Sequence, residues 1–348
     1  MHPAPFFYSF ENKATTVDNT GAVTQPSPLH LIVLMPLRDD WASAAELIRR
    51  LDKAVNPDEC SMEIVLVDDG SVHRCERHDF QGDYGAVRAI RVLRLRRNLG
   101  HQRAIAIGLV HVQQTSSCDA VVVMDADGED TAEGMARLVK AYVQNQGTMA
   151  VFAERSRRTE SLMFKLFYHL YKILHLWLTG IRVQVGNFSI LPSSYLGTLI
   201  VMSELWNHYA AAVFRSKLPY TMTPIPRGTR IAGVSTMNFV ALVSHGLSAI
   251  SVFGDIVGVR LMIASLTGSL VAGLGIVTVI AIRLFTQWAI PGWATTATGF
   301  LAIIAIQLIT IATSFTFFVL SNRTNLSFVP LRDYSWFVEE TIDVYSHG

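Results

Sequence analysis

The sequence contains few cysteines and little charge for its length. Of its 348 residues, 3 are cysteine and 16% are Asp, Glu, Lys or Arg. The cysteines, Cys60, Cys75 and Cys118, lack the spacing of a zinc site or a disulfide framework, and we expect reduced thiols. The formal net charge of +1 gives no overall field that would attract nucleic acid. These absences argue against a disulfide-stapled secreted domain and against a nucleic-acid partner.

An apolar leader is also missing from the start of the sequence. Residues 1–28 are polar, contain prolines and lack the apolar segment of a signal peptide. We therefore expect a flexible polar N-terminal tail, followed by a domain that stays in the cytoplasm where it is made.

Two long apolar runs are present instead near the C-terminus. Residues 261–282 carry no charged side chain, and residues 297–320 include only Gln307 as a strongly polar member. Each run can cross a hydrocarbon core about 30 Å thick as a helix. We predict a transmembrane hairpin over residues 261–320 and a cytoplasmic tail over residues 321–348. The alternative, two helices buried in a large soluble core, usually involves shorter helices with a polar edge.

Arginines flank this hairpin unequally. Arg260, Arg323 and Arg332 lie at one end, whereas Arg283 lies alone at the other. Because cytoplasmic loops carry the excess of Lys and Arg, the first end is expected in the cytoplasm. The pattern predicts an integral membrane protein whose large N-terminal domain is cytoplasmic.

Apolar strands and amphipathic helices alternate over about 100 residues after position 28. This alternation predicts a mostly parallel sheet covered by helices on both faces. The strands are expected at Leu29–Met35, Met62–Val67, Val87–Leu93 and Ala120–Met124, and the helices at Trp41–Val55 and Ala104–Gln113.

Polar loops follow three of these strands directly. They cover residues 36–40, 68–71 and 125–130. Sheets of this kind bind ligands in the crevice beyond the carboxyl ends of their strands. We therefore expect the three loops to form one site.

The loop after the fourth strand carries carboxylates with metal-binding spacing. Asp125 and Asp127, two residues apart, can reach one Mg²⁺ or Mn²⁺ ion, and Glu129 can supply a further oxygen. Such an ion would neutralise charge on a departing nucleoside diphosphate. An acidic turn that only caps the next helix is the alternative.

The loop after the second strand suits a different task. Asp68 and Asp69 can accept hydrogen bonds from a base or from ribose hydroxyls, while Gly70 permits close backbone approach. A structural Asx turn is the competing interpretation.

Two stretches have the pattern of helices lying in a membrane interface. One covers residues 161–178, and the other covers residues 239–253 within a juxtamembrane segment, residues 239–260. A helix packed on the sheet is the alternative in both cases. Their polar arcs contain Lys165, His169, Lys172 and His175 in the first stretch, and Ser244, His245, Ser248 and Ser251 in the second.

Three motifs match those of a known family in order and spacing. VDDGS at residues 67–71, NLGHQR at residues 98–103 and DADGED at residues 125–130 resemble family 2 of the inverting glycosyltransferases. With the hairpin, residues 30–320 are similar to dolichol-phosphate-mannose synthases and bacterial polyprenyl-phosphate glycosyltransferases. The resemblance implies a GT-A fold over residues 29–238, a UDP- or GDP-sugar donor, a polyprenyl-phosphate acceptor and a bacterial inner membrane.

The resemblance also assigns roles to individual residues. A Mg²⁺ or Mn²⁺ ion would be held by Asp125, Asp127 and Glu129. The donor would be bound by Pro36, Asp40, Asp68, Asp69, Asp125 and Asp127. Phosphates of the donor or acceptor would be clamped by Arg155, Arg157, Arg227 and Arg230. For Arg157, a membrane-surface charge attracted to anionic lipid is the alternative. The catalytic group would comprise Asp127, Asp130 and Arg155.

The acceptor is the part on which the sequence leaves alternatives open. His101 and Thr236 stand where relatives often have Lys, and Asn187 stands where they have an acidic residue. A lipid phosphate is already anionic, so it needs cationic positioning more than a base. A hydroxyl acceptor would need a base, for which Asp130 is the nearest candidate. A hydroxyl-bearing lipid or glycan, a non-catalytic membrane scaffold that retains the nucleotide-sugar fold, and a homo-oligomer all stay open.

Overall fold

The computed structural model describes residues 28–155, 172–180, 185–232, 239–286, 292–324 and 328–347. These residues divide into two compact units. One unit takes those that fall within 1–160, 184–252 and 328–348, and the other takes those within 161–183 and 253–327.

Eight strands of the first unit form one mixed sheet. Their order is β7-β5-β6-β4-β1-β2-β3-β8, in which β4, β1, β2 and β3 are mutually parallel neighbours. Strand β6 is antiparallel to β4 and β5, and β8 is antiparallel to β3. The bounds are β1 Leu29–Leu37, β2 Cys60–Asp68, β3 Val87–Leu95, β4 Ala120–Val123, β5 Ala150–Arg155, β6 Val185–Pro192, β7 Tyr220–Ile225 and β8 Val338–Ser346.

Helices follow the strands along the chain. Helices α7 and α8 belong to the second unit, together with the helical residues 172–179. The bounds are α1 Trp41–Ala54, α2 His101–Thr115, α3 Ala132–Gln144, α4 Leu196–Leu199, α5 Tyr209–Arg215, α6 Phe239–Ser251, α7 Gly254–Phe285, α8 Trp293–Thr324 and α9 Pro330–Asp333. Short 3₁₀ turns lie at Arg77–Phe80, Ser193–Tyr195, Ser203–Trp206 and Tyr334–Trp336.

Strand β1 shows why the sheet needs helices on both faces. Leu31 and Val33 point into the core formed with α1 and α3, whereas Ile32 and Leu34 point into the core formed with α2 and α5. All four side chains are fully buried, which explains the continuous apolar run. The predicted mostly parallel sheet is confirmed, and each predicted strand and helix of this region is present.

Strand β8 is an element that the sequence analysis did not predict. Residues 321–348 were expected to be a tail, yet Val338–Ser346 form the edge strand beside β3. The contact continues past the strand, since the Arg96 N–H donates to the Phe337 carbonyl at 2.9 Å. Charged, half-exposed edge strands of this kind lack the apolar alternation by which strands are recognised.

The second unit is dominated by α7 and α8, each 32 residues and about 48 Å long. Both are long and apolar enough to cross a membrane. Helix α7 begins seven residues earlier than the predicted span and α8 begins four residues earlier. The buried residues of α7 recur every seven positions, which is the seam of a left-handed helix pair. They are Gly258, Ser265, Ala272 and Val279.

The helices expected in the membrane interface expose apolar side chains. Helix α6 exposes Val243 and Leu247, and the helical residues 172–179 expose Ile173 and Trp177. The polar arc predicted over residues 161–178 is only partly described, and its member His175 is buried and bonded to Thr179 rather than exposed. Lys165 and His169 lie outside the described residues.

Candidate active site

Carboxylates from the loops after β1 and β4 lie close enough to interact with one another and with Arg230. Asp40 follows β1, and burial raises the pKa of its carboxyl group. Arg230 lowers that pKa in part and Asp127, in the loop after β4, raises it further. The predicted convergence of strand-end loops is thus seen for Asp40 and Asp127, while Pro36 contributes to β1 itself, opposite Val67 of β2.

The loop after β4 is held by its own carboxylates. The Asp127 Oδ1 atom accepts a hydrogen bond from the Glu129 N–H at 2.9 Å, and the Asp130 Oδ2 atom accepts one from the Asp125 N–H at 3.0 Å. The side chain of Asp130 is buried. Asp130 therefore helps to hold the loop, and the role of a base stays a prediction.

A segment rich in arginine lies directly on this acidic loop. Arg230 Nη2 donates to Asp127 Oδ2 at 2.7 Å, and Arg227 forms an ion pair with Glu129. Two backbone hydrogen bonds reinforce the contact, from the Gly228 N–H to the Glu129 carbonyl and from the Ile231 N–H to the Asp127 carbonyl. We call residues 227–231 the arginine segment.

Gly128 makes this close approach feasible. Its φ is +87°, and a Cβ atom at this position would lie 2.4 Å from Ile231 of the arginine segment. A larger residue would therefore meet both backbone strain and a steric clash.

The arginine segment retains unused hydrogen-bond donors. Within the part of the chain that the structure describes, Arg227 Nε and Nη1 and Arg230 Nε are buried and have no hydrogen-bond partner. Buried guanidinium donors beside carboxylates suit the oxygens of a phosphate, which can be bound by two parallel N–H groups.

Asp69 fixes a second loop of the site. Its carboxylate accepts hydrogen bonds from the N–H groups of Leu99 at 2.6 Å and Gly100 at 2.9 Å, and burial raises its pKa. This contact holds the start of α2, where His101 lies 3.1 Å from Asp125. Burial opposes protonation of His101, but Asp125 and the neighbouring carboxylates outweigh it and raise the pKa of the imidazole.

Asp68 differs from the role expected of it. Its side chain is buried at 1% exposure, and its Oδ1 atom accepts a hydrogen bond from the Ser71 N–H at 2.8 Å. Its Oδ2 atom lies 3.6 Å from Arg94 Nε. These contacts give Asp68 a part in holding the loop, and a role in donor binding stays a prediction.

Gln102 and Asn187 form a contact that the sequence analysis missed. Gln102 Nε2 donates to Asn187 Oδ1 at 3.2 Å, and its Oε1 atom accepts from the Tyr209 N–H at 2.7 Å. Gln102 lies within the NLGHQR motif, which could have drawn attention to it. The amide pair explains why Asn is accommodated at 187.

The carboxylates fit a metal ion only in part. Asp125 and Asp127 have the hard oxygen ligands that Mg²⁺ and Mn²⁺ prefer, and such ions keep positions for phosphate oxygens. Among the described residues, however, no three His, Cys, Asp or Glu side chains are grouped as a metal centre made wholly of protein ligands. Because Glu129 pairs with Arg227, a third ligand at Glu129 stays a prediction.

Some of the predicted site residues lie outside the part of the chain that the structure describes. The backbone of Arg155 ends β5, but its side chain is not described. Arg157 and Thr236 lie outside the described residues altogether. Their roles stay predictions.

The mostly parallel mixed sheet, with acidic loops at its strand ends, is the arrangement of a GT-A-type domain. Residues 32–197 match the family described as Glycosyl transferase family 2. This region is therefore a family 2 glycosyltransferase domain, and the protein is a glycosyltransferase.

Curated relatives cover most of the chain at low identity. An uncharacterized glycosyltransferase, YkcC, of Bacillus subtilis (strain 168) is 23% identical over 80% of this chain and 82% of its own length. An undecaprenyl-phosphate 4-deoxy-4-formamido-L-arabinose transferase of Erwinia tasmaniensis is 27% identical over 78% of this chain and 82% of its own length. The relative of the same name in Salmonella choleraesuis is 27% identical over 75% of this chain and 79% of its own length.

Solved structures resemble the chain only distantly. A glucosyl-3-phosphoglycerate synthase from Mycobacterium tuberculosis, solved with Mn²⁺ and UDP-glucose, has a TM-score of 0.46, 15% identity and coverage of 66% of this chain and 80% of its own. A mannosyltransferase from Pyrobaculum calidifontis, solved with GDP-Man and Mn²⁺, has a TM-score of 0.42, 14% identity and coverage of 89% and 84%.

Proposed function

We propose that this glycosyltransferase transfers a sugar, with inversion, from a UDP- or GDP-sugar to a polyprenyl phosphate at the cytoplasmic face of a membrane. The observation that carries the proposal is the arginine segment lying on the acidic loop after β4. It places the partly unpaired guanidinium groups of Arg227 and Arg230 beside Asp127 and Glu129. A site with both charges suits a reaction in which phosphate groups enter and leave.

The donor half of the proposal uses the loops after β1, β2 and β4. Asp40 accepts hydrogen bonds from the ribose or the base. Asp69 keeps the loop before α2 in position by accepting hydrogen bonds from the N–H groups of Leu99 and Gly100. Arg227 and Arg230 bind the diphosphate by exchanging carboxylate partners for phosphate oxygens. Asp125 and Asp127 would hold a divalent ion, which would neutralise charge on the leaving diphosphate.

The acceptor half rests on the membrane helices and on the curated relatives. Helices α7 and α8 can place the domain at a bilayer, where a lipid substrate is found. Two relatives are named as undecaprenyl-phosphate transferases. A phosphate nucleophile is anionic at neutral pH, so the burial of Asp130 is compatible with this acceptor.

An Asp127→Asn variant tests the donor half. We expect transfer to fall on the order of 100-fold or more, because the variant loses both the Arg230 partner and a metal ligand. The rate of sugar transfer and the calorimetric binding of UDP- and GDP-sugars with Mn²⁺ would be measured in the purified full chain. Asp83→Asn, an exposed residue away from the strand ends, is the matched control and should act as wild type.

Two outcomes would contradict the proposal. Wild-type transfer rates in Asp127→Asn would remove the assigned role, and failure of the wild-type chain to bind any nucleotide sugar would favour the non-catalytic scaffold. For the acceptor, polyprenyl phosphate and the matching polyprenol would be supplied side by side. Transfer to the polyprenol alone would replace the phosphate acceptor by a hydroxyl acceptor.

A further inference from the structure

The C-terminal strand contacts the donor side of the site through one buried cation. Arg94 of β3 is only 8% exposed, and it stands opposite Glu340 in the β3–β8 register. Its Nη1 atom lies 3.4 Å from Glu340, and its Nε atom lies 3.8 Å from Glu339. Two acidic residues of β8 therefore face a buried cation on the neighbouring strand β3.

The same guanidinium group reaches the end of β2. Arg94 Nε lies 3.6 Å from Asp68 Oδ2, and Asp68 Oδ1 accepts a hydrogen bond from the Ser71 N–H. Because Asp68 is buried, removal of its cation would leave a buried carboxylate without a charged partner at that oxygen. The position of the loop after β2 thus depends on Arg94.

Hydrogen bonds carry this dependence to the loop after β1. Ser71 Oγ accepts from the Asp39 N–H at 2.8 Å, and Asp39 Oδ1 accepts from the N–H groups of Val72 and His73 at 2.8 and 3.0 Å. Asp39 directly precedes Asp40. The two loops therefore hold one another, and both of them belong to the donor side.

We propose that Arg94 is a positioning residue for donor binding and that β8 is, through Arg94, a working part of the donor site. The proposal rests on the proposed function, because it concerns the same donor. It assigns to residues beyond the membrane hairpin a role in a site that is otherwise built from residues before it. Arg94 acts through Asp68 and Ser71 and does not itself touch the donor.

Arg91 provides a matched control three residues away on the same strand. It also pairs β3 with β8, through Asp343 at 3.2 Å, but its other partner is Glu63 in the middle of β2 at 2.8 Å. Arg91→Met therefore removes a β3–β8 ion pair without touching the loop after β2. Arg94→Met removes both a β3–β8 ion pair and the contact with Asp68 at the loop after β2, whereas Arg94→Lys keeps the positive charge.

Steady-state kinetics of the full chain test the role. We expect Arg94→Met to raise the donor KM about 10-fold while kcat and the acceptor KM change less than about 2-fold. Arg94→Lys should recover most of the donor KM, and Arg91→Met should keep the wild-type value even where its melting temperature is lowered. An equal rise of donor KM in Arg94→Met and Arg91→Met would overturn the proposal, since both would then act only through general stability.

Hydrogen exchange supplies a readout that needs no activity. The amides of Ser71, Val72 and His73 should exchange at least about 10-fold faster in Arg94→Met and at the wild-type rate in Arg91→Met. Unchanged exchange in Arg94→Met would also overturn the proposal. If the wild-type chain binds no nucleotide sugar, the proposed function fails, while exchange still decides whether Arg94 holds the two loops.

Discussion

Cys75 and Cys118 are half-buried thiols with little reactivity. Burial raises the pKa of each to about 11, and nearby carboxylates, Asp79 for Cys75 and Asp119 for Cys118, act in the same direction. Because the thiolate is the reactive form, both remain protonated and slow to react at neutral pH.

The pair formed by His30 and Glu63 makes stability depend on pH. Their side chains are 3.4 Å apart; hydrogen bonding to Glu63 raises the pKa of His30, and hydrogen bonding to His30 lowers that of Glu63. The His30 contribution is present below about pH 6.5 and is lost as pH rises through its folded pKa. The Glu63 contribution is present above about pH 4.5 and is lost as pH falls through its folded pKa.

A His30→Gln variant should therefore differ from wild type mainly near pH 6. We expect its free energy of unfolding to be lower by under about 1 kcal/mol there, because the pair is partly solvent-exposed and Arg91 still pairs with Glu63. Denaturant titrations at pH 6 and pH 8.5 would measure the difference. A difference that grows towards pH 8.5 would contradict this assignment of the pKa shifts.

The sequence indicated which residues lie in the strand-end loops, while the role of each side chain stays a prediction. Asp127 and Asp40 were placed together by the rule that ligands bind at strand ends. The sequence could not distinguish Asp68 from Asp69, because their different roles depend on Arg94 and on the loop before α2, which are distant along the chain. Arg227 and Arg230 were recognised only through the family resemblance, since nothing local shows that they lie on Asp127 and Glu129.

At the scale of elements, α7 and α8 pack through small residues. A Cβ atom added to Gly258 would lie 2.4 Å from Val319, whereas a Cβ atom added to Gly273 of the same helix meets no atom within 4 Å. Small residues at a seam let two helix backbones approach closely. Gly273 faces away from the seam and serves as the internal control.

We expect Gly258→Leu to destabilise the helix pair and Gly273→Leu to leave it unchanged. Overpacking at a closed seam costs about 1 to 3 kcal/mol. Unfolding of the detergent-solubilised chain by increasing amounts of SDS, followed by circular dichroism, would measure the loss. Equal stability of the two variants would show that the α7–α8 seam differs from the one described.

The inner strands of the sheet could be predicted from the sequence far better than its edge strand β8. The apolar runs that became β1, β2 and β4 are largely buried and are followed by loops that contain aspartates. Strand β8 has the sequence VEETIDVYS, in which charges interrupt the pattern, and its partner lies about 250 residues earlier. No local signal reveals a pairing over such a distance.

At the scale of the whole molecule, the β3–β8 pairing restricts the topology. Residues before α7 and residues after α8 share one sheet, so they lie on the same side of any membrane that the helices cross. An even number of crossings follows, as in the predicted hairpin. Which side that is stays a prediction from the positions of Arg260, Arg323 and Arg332.

Cysteine labelling tests the topology. Thr295, near the start of α8, and Asp83, in the first unit, are both exposed. In a chain whose native cysteines are replaced by alanine, Thr295→Cys and Asp83→Cys should react with a membrane-impermeant maleimide from opposite sides. Asp83→Cys should label in inverted vesicles, and Thr295→Cys should label in intact cells.

Two results would contradict that topology. Labelling of both positions from one side would show that α7 and α8 do not cross the bilayer as a hairpin. Labelling of Asp83→Cys from outside intact cells would reverse the orientation. Transfer activity of each variant would confirm that the labelled chains are folded.

The place of β8 at the sheet edge also sets the order in which the enzyme can be built. A ribosome makes β3 before the two apolar helices and β8 after them, so the edge of β3 has no partner strand while those helices are synthesised. Arg94 and Glu340 are 246 positions apart, and the acidic partners of Arg94 on β8 are made only after both apolar helices. A chain that stalls within the two apolar helices lacks β8, and with it the acidic partners of Arg94 on that strand.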